Sequence, residues 1–235
     1  MTVGQSEPGG TGSQGTKFRD ELTMISHVLD FSRAARPNST VFRMQIMVLA
    51  LTSAGCLAAF TTPIVAEGSS AAKFFNAIGW TCFGMGIALR FWSICHIAGR
   101  KSKIIVDTGP YALTRNPLYV GTFLIAFSEA AFLKSVWWLL GLAVVVVYYN
   151  RVVVPFEEQK LAAKLGAHFD EYAARVPRWL PRFDRHCLQS VEVSDYSAIR
   201  REFQCLLCWV IVPLVGLGMC WLRAQPWWPH FVPGF

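Results

Sequence analysis

The chain has 235 residues, of which 53% are hydrophobic and only 16% charged, and it carries a formal charge of +7. That is too apolar for an ordinary soluble globule and indicates an integral membrane protein. The basic residues border apolar runs rather than lining a groove, which argues against nucleic-acid binding.

Residues 1–17 are polar and rich in Gly and Ser, the composition of a disordered tail. They lack the basic start, apolar centre and small-residue cleavage site of a secretory signal, so no cleaved leader is expected. Phe18 to Arg36 places Leu22, Ile25 and Leu29 at helical spacing, as in a helix on the membrane surface or, equally, a plain cytosolic helix. Residues 1–40 therefore read as an N-terminal region outside the membrane core.

Crossing a hydrocarbon layer of about 30 Å takes about 20 helical residues. Apolar runs of that order lie at 44–66, 74–98, 135–155 and 203–222, with a shorter one at 118–133. Lys and Arg cluster on one side of these runs: Arg33, Arg36 and Arg43, then Arg100, Lys101 and Lys103, then the series from Arg151 to Arg201. The loops around Glu67 to Lys73 and around Lys134 are short and nearly neutral. By the positive-inside rule the N-terminus is cytoplasmic and about five passages follow. The tail from Arg223 to Phe235 then lies outside, anchored by Trp227, Trp228 and Phe231. Pro213, within the fifth run, requires neighbouring groups to satisfy the carbonyl it frees. The expected fold is an all-α polytopic membrane bundle with a cofactor pocket on its cytosolic face. Residues 41–183 form its core, and 184–235 form a linker, a last transmembrane helix and a tail.

Seven cysteines, Cys56, Cys82, Cys95, Cys187, Cys205, Cys208 and Cys220, lie mostly inside apolar runs, where a thiol behaves as a small hydrophobe. No disulfide framework is expected. The pair Cys205 and Cys208 has no second pair to complete a metal site, and no metal is implied.

Two segments carry the chemistry. The first is Gly109-Pro110-Tyr111-Ala112-Leu113-Thr114-Arg115-Asn116-Pro117-Leu118-Tyr119-Val120-Gly121; the second, after one apolar hairpin, is Glu157-Glu158-Gln159-Lys160-Leu161. A residue before proline is pushed out of the helical region, so Asn116-Pro117 predicts an extended corner leading into a span. Asn116 can donate and accept hydrogen bonds at once. Tyr111 and Tyr119 can wall a site, and Gly121 would let a ligand approach the backbone. Pro155 suits the first turn of a helix leaving the membrane. Glu157 and Glu158 fit the positive end of that helix, and the same charges suit a cationic ligand.

This pattern resembles the isoprenylcysteine carboxyl methyltransferase and phospholipid methyltransferase superfamily, which reads roughly G-P-Y-x-x-x-R-H/N-P-x-Y-x-G, a membrane hairpin, then E-E-x-x-L. The likeness extends upstream to Leu89-Arg90-Phe91-Trp92 and downstream through Gly166 to Tyr172 and Val176-Pro177-Arg178, over about 79–183. It implies S-adenosylmethionine as cofactor and a lipid or lipidated small molecule, drawn from the membrane, as methyl acceptor. Cofactor contacts would fall on Lys103, Ile104, Ile105, Val106, Tyr111, Asn116, Pro117, Leu118, Tyr119 and Glu157, with His96 at a further matching position. Arg115 or Arg151 would steer a carboxylate acceptor, and Glu158 is the nearest base for an amine acceptor.

Two departures bear on the acceptor. Asn116 replaces the commoner histidine, which removes imidazole chemistry at that spot. Val153 stands where prenylcysteine enzymes carry an arginine, with Arg151 two residues earlier. Gly84 and Gly86 are read as helix-packing residues rather than a nucleotide fingerprint. The competing expectations are an NADPH-dependent membrane oxidoreductase of sterol-reductase type and a non-catalytic membrane protein with the same fold.

Overall fold

The computed structural model describes residues 40–98, 104–182 and 196–231. The expected helix at 18–36, Lys103, Cys187 and the linker from Asp184 to Asp195 lie outside these residues. The chain divides into two compact units, Met1–Ile46 and Met47–Phe235. Of the first, only residues 40–46 are described, as opening turns of a helix.

All regular structure among the described residues is helical. In chain order it comprises α1 (Thr40–Ala59), α2 (Ser70–Ile97), the single turn α3 (Pro110–Leu113), α4 (Pro117–Leu133), α5 (Val136–Tyr148), a π-helical turn (Tyr149–Val153), α6 (Val154–Leu165), α7 (Ala167–Arg175), α8 (Tyr196–Trp209) and α9 (Ile211–Arg223). Ser69 caps α2, accepting from the Ala72 N–H at 3.1 Å, a usual serine role. Two helices are long and apolar enough to cross a membrane: Ser70–Ile97, and the continuous stretch Val136–Leu165. Only 17% and 22% of their apolar windows are buried inside the protein, unlike the core helix of a soluble protein. Large side chains such as Leu49, Phe74, Val144, Val147 and Leu214 point outward. A surface this apolar requires a hydrocarbon solvent, and the protein is a membrane protein.

Several boundaries differ from the sequence reading. The run at 44–66 leaves its helix at Ala59, and Gln45–Ala59, Pro117–Leu133 and Ile211–Arg223 are shorter apolar helices. The run at 203–222 is split at Val210. Pro213 explains the split, because it has no N–H to offer the Trp209 carbonyl one turn earlier. The run at 135–155 continues as helix to Leu165 and changes pitch at the π turn, where the Val154 N–H reaches back to the Tyr149 carbonyl. Pro155 lies in the first turn of α6, as expected. Its missing N–H accounts for the local loosening.

The main helix contact is between α2 and α4. Gly86 and Gly121 let the two backbones approach closely. A Cβ on Gly86 would come within 2.7 Å of Ile125 and 2.8 Å of the Gly121 carbonyl, and one on Gly121 would meet the Arg90 stem at 2.7 Å. Gly86 thus packs helices, as read from the sequence. Gly121 does the same, and the space expected for a ligand beside it is filled by α2. Gly84 faces open space.

At the end of the bundle away from the motifs, polar groups fasten the helix termini. Arg223, 2% exposed, donates to the carbonyls of Thr61 at 2.9 Å and Leu133 at 2.7 Å. Lys134 donates to Glu67 at 2.8 Å. The Trp228 indole donates to the Ala59 carbonyl, and the Phe231 N–H to the Phe60 carbonyl. Burial pushes the pKa of Glu67 up, but the hydrogen bonds from Lys134 and Cys220 and the positive charges of Lys134 and Arg223 outweigh it and hold that pKa below the ordinary carboxylate value.

Two outcomes follow from this packing. Gly86→Val should lower stability by about 1–3 kcal/mol, whereas Gly84→Val should be near neutral, as read by thermal unfolding in detergent. Glu67 stabilises the fold above its unfolded pKa, and that contribution fades as pH falls through the lowered folded value. Glu67→Gln should therefore cost stability at pH 7 and flatten the acid limb of a melting-temperature profile.

Candidate active site

The first motif begins with a backbone that only glycine adopts easily. Gly109 has φ 61° and ψ −135°, and a Cβ there would strike the His96 ring at 2.2 Å. The chain then makes the turn Pro110–Leu113, extends at Thr114 (φ −151°, ψ 148°), and enters α4 through Asn116 (φ −126°) and Pro117. This is the proline corner anticipated from the sequence.

A strap formed by residues 176–182 returns across the corner. The Arg115 N–H donates to the Pro177 carbonyl, and the Arg182 N–H to the Leu113 carbonyl, both at 2.9 Å. The Thr114 hydroxyl (2.9 Å) and the Asn116 amide (3.2 Å) both donate to the Arg178 carbonyl. Arg178 also reaches the second motif. Its guanidinium forks onto Glu158, with Nε to Oε1 at 3.2 Å and Nη2 to the other oxygen, and Arg115 Nη1 approaches Oε1 at 3.3 Å. The Glu158 side chain is 14% exposed and that of Arg115 16%. The two motifs are thereby tied together by a carboxylate shared between two guanidiniums.

Glu157, the other acid, takes a separate position. The Tyr119 hydroxyl donates to its Oε2 at 2.9 Å. Tyr119 also meets Tyr149 of the π turn edge to face, with ring centres 5.1 Å apart, and Phe123 contacts both Tyr149 and Trp179. The Trp179 indole donates to Asn150 at 2.7 Å. The π turn therefore places Tyr149 against Tyr119 and Phe123 of α4 and Asn150 against Trp179 of the strap, and leaves Arg151 exposed, while Val153 is buried at 2% exposure.

Behind the corner, Tyr111 is 6% exposed and its hydroxyl has no partner among the described residues. His96 Nδ1 lies 3.0 Å from the Trp92 carbonyl, so it carries the proton and donates. Its buried Nε2 is also without a partner. Tyr172 links this region to a cleft of about 540 Å³, donating to the Tyr111 carbonyl at 2.9 Å while its ring lines the cleft with Ile104, Ile105, Asp107, His168 and Arg175. The Arg175 guanidinium bridges to Asp107 at 2.6 Å. Burial pushes both phenols, Tyr111 and Tyr172, far above the ordinary tyrosine range, so both keep their protons.

The expected site residues among those described thus fall into four sets. Asn116, Pro117, Leu118, Tyr119 and Glu157 gather at the corner with Tyr111 behind them. Ile104 and Ile105 lie on the cleft, and the half-buried Val106 follows them. Arg151 stands apart on the π turn. Arg115 and Glu158, expected to steer substrate and to act as base, are joined to each other instead. Sequence reasoning passed over Arg178, Tyr172, Tyr149 and Trp179. Only the short run Val176-Pro177-Arg178 marked the strap in advance.

Residues 74–167 match the profile of the phospholipid methyltransferase family, and that stretch carries the family's pattern, as the motifs indicated. This family belongs to the isoprenylcysteine carboxyl methyltransferase-like superfamily. Among curated proteins, the chain is similar to the nickel-cobalt-cadmium resistance protein NccN of Alcaligenes xylosoxydans xylosoxydans. The identity is 28% over 155 residues, covering 66% of this chain and 72% of the relative. It is also similar to the cobalt-zinc-cadmium resistance protein CzcN of Cupriavidus metallidurans, with 30% identity over 136 residues, covering 58% of this chain and 62% of the relative. No solved structure matches. Among the described residues no group of three or more His, Cys, Asp or Glu side chains could hold a metal ion.

Glu158→Gln should weaken its contacts with both arginines and cost about 2 kcal/mol, between the values for exposed and fully buried pairs. Trypsin should then cut after Arg178 or Arg182 faster than in the native protein. Unchanged cleavage would show that the strap is held by other contacts.

Proposed function

We propose that this protein is an S-adenosylmethionine-dependent methyltransferase acting on an amphiphile of the bilayer. It makes five passages, with the motif end of the bundle at the cytosol. The observation that carries this reading is the approach of Tyr119 to Glu157. Two motifs nearly forty residues apart meet there, beside Asn116 and the unpartnered hydroxyl of Tyr111.

The residues present fit the cofactor. Glu157 offers a carboxylate to a cationic or diol-bearing ligand, and Asn116 an amide. Tyr111 Oη and His96 Nε2 are buried polar atoms awaiting partners, which cost stability when left unsatisfied. The adjoining cleft of about 540 Å³ is of a size that holds small molecules. When bound, the cofactor supplies an electrophilic methyl group on a sulfonium centre. The chain's part is to hold donor and acceptor in line and to exclude water. Tyr119, Tyr149 and Phe123 wall the corner, and the strap through Trp179 covers it. Asp107 and Arg175 close the cleft's rim from opposite sides.

In this reading Glu158 and Arg115 hold the two motifs in register instead of meeting the acceptor. Residues 41–183 constitute the catalytic core, with 184–235 completing the bundle. The two relatives are named as resistance proteins for nickel, cobalt and cadmium and for cobalt, zinc and cadmium, which supports a setting in metal resistance for the proposed activity.

Glu157→Gln should reduce S-adenosylmethionine affinity at least tenfold by calorimetry while leaving thermal unfolding nearly unchanged. Unaltered affinity would remove Glu157 from the site. Membranes given methyl-labelled S-adenosylmethionine should transfer label to a lipid-extractable product. Base-labile label would identify a carboxylate acceptor, base-stable label in phospholipid an amine, and no transferred label would contradict the assignment.

A further inference from the structure

Lys134 occupies a position that would suit a smaller residue. It caps the end of α4 in a left-handed conformation, φ 48° and ψ 46°, and it is the one non-glycine residue among those described with a positive φ. Glycine or asparagine takes such a cap at lower cost. Its side chain then turns inward and is only 1% exposed, although an ammonium is expensive to bury. Backbone strain and a buried charge at one residue point to a use for its amine.

That amine meets a thiol. Cys220 of α9 is 3% exposed, and of Cys56, Cys82, Cys95 and Cys220 only the last is buried. The Phe132 carbonyl accepts from Cys220 Sγ at 2.9 Å and from Lys134 Nζ at 3.3 Å, and so holds nitrogen and sulfur side by side, 3.6 Å apart. Glu67 Oε1 lies 2.8 Å from Nζ, where it can take a proton. An amine, a thiol and a base thus converge from three separate stretches of chain. Burial keeps charged oxidants away from them, whereas dioxygen is small and apolar and dissolves in hydrocarbon.

We propose that Lys134 and Cys220 are a modification site, at which dioxygen joins Nζ to Sγ through a single oxygen atom as an N–O–S cross-link. One N–H bond, the S–H bond and the bond of dioxygen break, and an N–O and an O–S bond form. One oxygen atom bridges; the other leaves as water with the two hydrogens. Nitrogen and sulfur each give up an electron pair, and dioxygen takes both pairs. The proton that made Lys134 an ammonium passes to Glu67, so the step also removes a buried pair of charges. The product ties the end of α4 covalently to α9, and it owes nothing to methyl transfer.

Full-length protein in detergent is reduced with dithiothreitol, freed of it, and held under argon, air or isotope-labelled dioxygen, with intact and tryptic masses read by mass spectrometry. Under air the chain should gain one oxygen and lose two hydrogens, trypsin should no longer cut after Lys134, and the peptides carrying Lys134 and Cys220 should be joined. The bridging atom should carry the label of the dioxygen, argon should leave the chain unchanged, and fresh dithiothreitol should restore the reduced mass. Cys220→Ser and Lys134→Arg should each lose the joined species; should either fail to fold, the masses of the native chain decide. Oxygen on Cys220 alone, a disulfide from Cys220 to another cysteine, or an unchanged chain under air would overturn the proposal.

Discussion

The arrangement of the motif end depends on one carboxylate. Glu158 is held by Arg115 from the proline corner and by Arg178 from the strap, and it stands beside Glu157 at the start of α6. It meets guanidiniums from both the corner and the strap, adding charge to the neutral hydrogen bonds of Thr114, Asn116 and Trp179. Charge-assisted, partly buried contacts of this kind fix geometry more firmly than neutral ones. The adjacent carboxylate, Glu157, accepts from the Tyr119 hydroxyl at 2.9 Å. Two neighbouring acids are thereby turned to different partners, Glu158 to two guanidiniums and Glu157 to a phenol.

The opposite end of the bundle is built on the same principle with other residues. Arg223 at the end of α9 donates to the Thr61 carbonyl just beyond α1 and to the Leu133 carbonyl at the end of α4, and Lys134 donates to the Phe132 carbonyl and to the Glu67 carboxylate. Between the two ends, the close contact of Gly86 with Gly121 sets the spacing of α2 and α4. The same contact presses the Arg90 stem into place.

Much of this was legible in the sequence. Hydropathy marked the apolar helices, because a lipid-facing helix must be apolar along its length. Asn116-Pro117 and Gly109-Pro110 marked the corner, because proline and glycine restrict the backbone locally. Other features were hidden for physical reasons. The π turn arises from a single missing N–H at Pro155, and nothing in the apolar run Val144 to Val154 distinguishes pitch. The split at Val210 follows from Pro213 one turn later. The pairing of Arg115 with Glu158 could not be read at all, since it depends on a long-range approach mediated by Arg178. Gly121 suggested room for a ligand, but the room is taken by the neighbouring helix.

The central claim is that the proline corner, the start of α6 and the adjoining cleft together hold S-adenosylmethionine. Ultraviolet photolabelling of the purified protein with radiolabelled S-adenosylmethionine, followed by peptide mapping, tests this most directly. The account predicts label within 104–119 or 149–172, suppressed by excess unlabelled cofactor. Competable label confined to α1 or α9, or no competable label, would contradict it.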